Sequence, residues 1–146
     1  MVLINLSENE IEEIKKILDI NINLLIKGCE TLNMEMAFKI FKNSPFFLMM
    51  GTDGTLCDYN TYINNNINYL KECSNFKLVT YNKEIRILDQ NNAIYSWTYG
   101  VEATLKTGDK DIIKNAGASF IFKKINSKWE VVYYHESSLP MERTKI

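Results

Sequence analysis

The stretch AIYSWTYGVEATL, Ala93 to Leu105, decides the fold. Its odd positions carry Ala93, Tyr95, Trp97, Tyr99, Val101, Ala103 and Leu105, and its even positions include Ser96, Thr98, Glu102 and Thr104. Successive side chains of a strand point to opposite faces, so this segment is a strand with one apolar and one mostly polar face. Its apolar face needs a cover.

Similar segments flank it. FKLVTYNKEIRIL, from Phe76, reads as the preceding strand, and Asp89 to Asn92 as the turn between the two. After a loop at KTGDKD, AGASFIFKKI reads as a third strand, NSK as a turn and KWEVVYYHESS, Lys128 to Ser138, as a fourth. Four strands with short connections predict an antiparallel meander. The cover lies upstream. Ser7 and Glu10 have the spacing of a capping box, and Ile11, Ile14, Leu18, Ile22 and Leu25 follow at helical steps, with Gly28 as the expected stop. A second helix fits MEMAFKIFKN, which NSP ends. Asp53-Gly54 predicts a hairpin turn, and Ile63, Ile67 and Leu70 mark a third helix capped by Asp58, Asn60 or Thr61. The fold class is therefore α+β, a cone-shaped roll of N-terminal helices packed on a strongly curved, mainly antiparallel sheet.

A length of 146 residues suits one domain, taken as residues 1–146, and 46% hydrophobic content supplies its core. A net charge of -1 argues against a general nucleic-acid binder, which needs a basic face. No apolar run approaches the roughly 20 residues of a membrane span. MVLINLSENEIEEIKK does not read as a secretion signal, so a cytoplasmic location is expected. Cys29, Cys57 and Cys73 are odd in number and lack metal or redox spacing. No metal or cofactor is expected.

In order and spacing, the segments resemble the SnoaL-like branch of the nuclear transport factor 2-like superfamily. The resemblance covers almost the whole chain. It runs from the long and short helices through GTDG (Gly51 to Gly54) and IRILDQNNAIYSWTYG to FKKINSKWEVVYYHESS. The last is the most specific part, with Trp129, Val131, His135 and, two residues on, Ser137. Tyr133 stands where many members carry another histidine. The resemblance implies a cavity between the concave sheet face and the helices, and a homodimer through the sheet. It implies no single activity, since the superfamily holds isomerases, cyclases, dehydratases and assembly domains.

Strict alternation puts Trp129, Val131, Tyr133, His135 and Ser137 on one face, which by resemblance is the cavity face. Trp97, Tyr99, Tyr133 and His135 are then the expected ligand-binding residues. Ser119 joins them, although the sequence leaves open which parity of residues 117–124 faces the cavity. His135, the only histidine, is the candidate catalytic acid or base. Alternation sends Glu136 to the opposite face. Enzymes of the superfamily usually keep a carboxylate in the cavity, yet FFLMMG and AGASFIFKK hold none. The leading expectation is thus a small, largely apolar ligand bound without catalysis. The alternatives are an isomerase-, cyclase- or dehydratase-type enzyme using His135, and an assembly module with no active pocket.

Overall fold

Ser7 starts the first helix as its spacing with Glu10 predicts. In the computed structural model, which describes residues 5–146, the Ser7 side chain accepts from the Glu10 backbone N–H, and the Glu10 carboxylate accepts from the Ser7 backbone at 2.7 Å. The reading of the N-terminal stretch as no secretion signal rests partly on residues 1–4, outside the described residues. Helix α1 spans Glu8–Glu30 and buries Leu18, Ile22 and Leu25. It does not stop at Gly28. A Cβ there would collide with the backbone of Ala37, so this glycine lets α2 approach α1. Leu32 turns the chain with φ 55°, and Asn33 caps α2, Met34–Phe38. This helix is shorter than MEMAFKIFKN predicts. The chain leaves it at Lys39, and Phe41 bridges to Val131 of the sheet.

The hairpin at Asp53-Gly54 joins β1, Leu48–Met50, to β2, Leu56–Cys57. Gly54 takes φ 80°, and Asp53 Oδ1 accepts from the Thr55 backbone at 2.9 Å. Asp58 caps α3, Tyr59–Glu72, which passes directly into β3, Cys73–Asp89. Strands β4, Asn92–Leu105, β5, Lys110–Ile125, and β6, Lys128–Ser138, complete the expected antiparallel meander. Two features go beyond the sequence reading. Strand β5 begins at Lys110 rather than Ala116, and β7, Glu142–Thr144, pairs with that extra length. The sheet order is β2-β1-β6-β5-β4-β3, with β1 parallel to β6.

The alternation of β4 holds throughout. Every odd residue from Ala93 to Leu105 is buried. In β6 the alternation breaks. Phe122 pairs with Val131 but Ile121 pairs with Tyr133, which leaves Val132 as an extra residue in a β-bulge. Trp129 and Val131 face the core before the bulge; Tyr134 and Glu136 face it afterwards. A one-residue offset exchanges the faces of every later side chain. Tyr133 and His135 therefore leave the concave face, contrary to the expectation from strict alternation.

Candidate functional site

The helices and the concave sheet face enclose a cavity of about 210 Å³. Leu25, Cys29 and Phe38 reach it from α1 and α2, and Tyr62, Asn66 and Tyr69 from α3. The sheet contributes Trp97 and Tyr99 from β4, Asp111 from β5, and Tyr134 and Glu136 from β6. Each position follows from the parity described above. On β4 the odd residues face inward, and on β6 the bulge turns the even ones inward.

Trp97 and Tyr99 stack with ring centroids 4.0 Å apart and planes 19° apart. The indole N–H is held by Thr80 Oγ1 at 3.1 Å, so the stack has a fixed orientation. The Tyr99 hydroxyl donates to Glu136 Oε1 at 3.3 Å. Tyr62 packs against Tyr134, with centroids 5.3 Å apart, to close this end of the cavity. Burial pushes the Glu136 carboxyl above its ordinary value, and the Tyr99 hydrogen bond opposes this only in part. Burial also raises the Tyr62, Tyr99 and Tyr134 hydroxyls, with the nearby Glu136 charge adding to the effect. At neutral pH the three phenols remain hydrogen-bond donors.

Asp111 is a different kind of acid. It is 1% exposed, and Arg143 grips both its oxygens, Nε at 2.6 Å and Nη2 at 2.7 Å. The Tyr69 hydroxyl donates to it at 2.8 Å. The Arg143 hydrogen bonds hold this carboxyl below its usual value despite burial. Cys29 is no nucleophile, because burial, together with the charge of Glu30, pushes its thiol up to about 12. Among the described residues no group of three or more His, Cys, Asp or Glu could hold a metal ion. Glu136, Ile113 and Met141 also border an outer depression with Asp53 and Leu139, so Glu136 stands between cavity and surface.

Of the expected site residues, Trp97 and Tyr99 line the cavity. His135 and Ser119 do not. They pair across β5 and β6 and, with Ser137, line a shallow depression on the other side of the sheet that also takes in Lys83 and Glu84. Tyr133 shares the parity of His135 and is absent from the cavity wall. The expected lack of a cavity carboxylate is corrected by Glu136. Its one available signal was the pair of doublets Val131-Val132 and Tyr133-Tyr134, which leave the parity of the strand degenerate. Asp111 was missed because KTGDKD reads as loop, whereas the strand already includes its last two residues.

A curved sheet closed by three N-terminal helices over an inner cavity is the architecture of the nuclear transport factor 2-like superfamily. Solved structures agree. The chain is similar to a nuclear transport factor 2-like superfamily protein from Salmonella enterica serovar Typhimurium, at 17% identity and TM-score 0.76, covering 88% of this chain and 93% of that one. It is similar to the hexachlorocyclohexane dehydrochlorinase LinA-type3 from Novosphingobium barchaimii, at 7% identity and TM-score 0.77, covering 94% of each chain. A protein from Xanthomonas campestris assigned to the calcium/calmodulin dependent protein kinase II association domain matches at 22% identity and TM-score 0.64, covering 88% of this chain and 86% of that one. At these identities the likeness is one of fold. A search of curated proteins finds no match. The sequence profile of the calcium/calmodulin dependent protein kinase II association domain matches residues 10–140, and the chain belongs to that family.

Proposed function

We propose that the chain binds a compact, largely apolar organic molecule in the cavity between its helices and sheet. The carrying observation is the composition of the wall. A fixed Trp97–Tyr99 stack supplies apolar area, and one carboxyl, Glu136, stands among tyrosine hydroxyls to orient a polar group. Few convergent polar groups in an apolar recess make a small-molecule site. Titration of the labelled protein with indole and toluene, followed by amide shifts, tests this. Shifts grouped around Tyr62, Trp97 and Val101, lost in Val101→Phe, support it. No shifts, or equal shifts in the filled variant, refute it.

A second reading is proton-transfer catalysis, favoured by the position of Glu136. Burial raises the pKa of the Glu136 carboxyl above its ordinary value, the direction that suits a carboxyl to proton transfer, and Tyr99 is placed to hold it. The version using His135 has no geometric support, since that side chain lies outside the cavity. Turnover of any carbonyl compound that binds, lost in Glu136→Gln and kept in His135→Ala, would establish the catalytic reading. Binding without turnover would sink it.

The expected homodimer through the sheet remains our proposal for the assembly. The family's description as an association domain supports it. The outer face of β4 to β6, with Thr98, Ser119 and His135, is the surface we assign to it. Light scattering of the chain and of Thr98→Arg measures it, and a monomeric mass for the unmodified chain would rule it out.

A further inference from the structure

The charge of the cavity narrows the class of occupant, given that the cavity binds a small molecule at all. No Lys, Arg or His is among the side chains that line it. Its two acids are not equivalent. Asp111 is already neutralised, by the bidentate grip of Arg143. Glu136 has only the Tyr99 hydroxyl, at 3.3 Å, and no cation among the ion pairs of the described residues. The outer depression that leads to Glu136 adds Asp53 to its rim and no base. Lys114 of β5, outside both linings, is engaged with Glu142 at 3.0 Å. The wall beside Glu136 is aromatic. Tyr99 carries the hydrogen bond to Glu136 on the same ring that stacks on Trp97, and Tyr62 and Tyr134 complete that end.

A carboxyl held by a single neutral hydroxyl in a largely apolar recess is costly when ionised, and the partner it lacks is a positive charge. Electron-rich ring faces attract the same charge. We infer that the occupant is a small organic cation, an aryl- or alkylammonium compound, with its nitrogen against Glu136 and its apolar body along the Trp97–Tyr99 stack. An anion would meet Glu136 with no cation to offset it. A neutral hydrogen-bond acceptor would be served equally well by an amide at position 136, which distinguishes it from a cation.

Three ring compounds of matched size test this: benzylamine, benzyl alcohol and benzoate, titrated at pH 7 into the labelled full chain. Benzylamine is expected to bind at least tenfold more tightly than the alcohol, and benzoate not to bind. In Glu136→Gln, checked for its fold by circular dichroism, the amine loses that advantage while the alcohol is unaffected. An alcohol equal to or tighter than the amine, measurable benzoate binding, or an amine preference that survives in Glu136→Gln overturns the cation inference and leaves cavity binding standing. Absence of binding by all three overturns both. If the variant fails to fold, the ranking on the unmodified chain decides.

Discussion

Tyr99 and Glu136, 37 positions apart, meet inside the cavity with the phenol donating to the carboxyl at 3.3 Å. The contact needs two strands in correct parity. Tyr99 is set inward by the regular alternation of β4, and Glu136 by the bulge at Val132. A tyrosine–carboxyl pair in a largely apolar space gives this side of the molecule its chemistry.

The pair gives stability a pH dependence. The folded-state pKa of Glu136 lies above its ordinary 4.5, so its contribution favours the folded state at low pH and is lost as pH rises through the folded value. Glu136→Gln, which cannot ionise, is expected to melt higher than the unmodified protein at pH 7.5. The difference should shrink towards pH 4. Thermal melts at several pH values check this, and an unchanged gap would refute it.

Asp111 has the opposite sign. Its folded pKa lies below the ordinary 3.8, so its stabilisation is present above that value and is lost as pH falls through the lower one. Asp111→Asn is expected to lower the melting temperature at pH 7 by breaking the Arg143 and Tyr69 hydrogen bonds, with the loss fading as pH falls through the lowered folded value. A variant as stable as the parent at pH 7 would show that the clasp contributes nothing.

Gly28 sits where α1 touches the backbone of Ala37. Gly28→Ala forces the two helices apart and is expected to cost about 1–3 kcal/mol, the usual range for overpacking. Urea unfolding measures it. A neutral or stabilising result would mean that α2 yields freely.

The thiols should differ in reactivity. Cys29 and Cys73 are buried while Cys57 is partly exposed. With a thiol reagent at pH 8, Cys57 is expected to be labelled in the native protein and the other two only on unfolding. Mass mapping of the labelled peptides distinguishes them.

Much of the fold is legible in the sequence because two signals reinforce each other. The alternation from Ala93 to Leu105 has no competing parity, and the capping box at Ser7 precedes a single apolar stripe. The candidate site is less legible for a physical reason. From Val131 to Tyr134 both parities are apolar, so nothing in the pattern marks where one residue is skipped. The histidine drew attention to the wrong neighbour, since His135 and Glu136 differ by one position and lie on opposite faces. Deletion of Val132 tests this reading. It removes the skipped residue and should keep Tyr134 and Glu136 inward and His135 outward, so that the near-UV signal of the packed tyrosines is retained. Loss of that signal in a folded variant would disprove the bulge at Val132. Strand β7 was missed because three exposed residues carry no periodicity, and it forms only because β5 extends past the end of β6.

That extension has a kinetic consequence. Along one edge of β5, β6 and β7 lie end to end, and the interruption between Ser138 and Glu142 falls beside Glu136, Ile113 and Met141, where the cavity meets the surface. The three residues of β7 are all exposed, and two ion pairs to β5 fasten them, the buried Arg143–Asp111 clasp and the exposed Lys114–Glu142 pair. Detaching so short a ladder takes far less free energy than parting the long strands. The short ladder of β7 is thus the part of the wall beside Glu136 that parts at least cost.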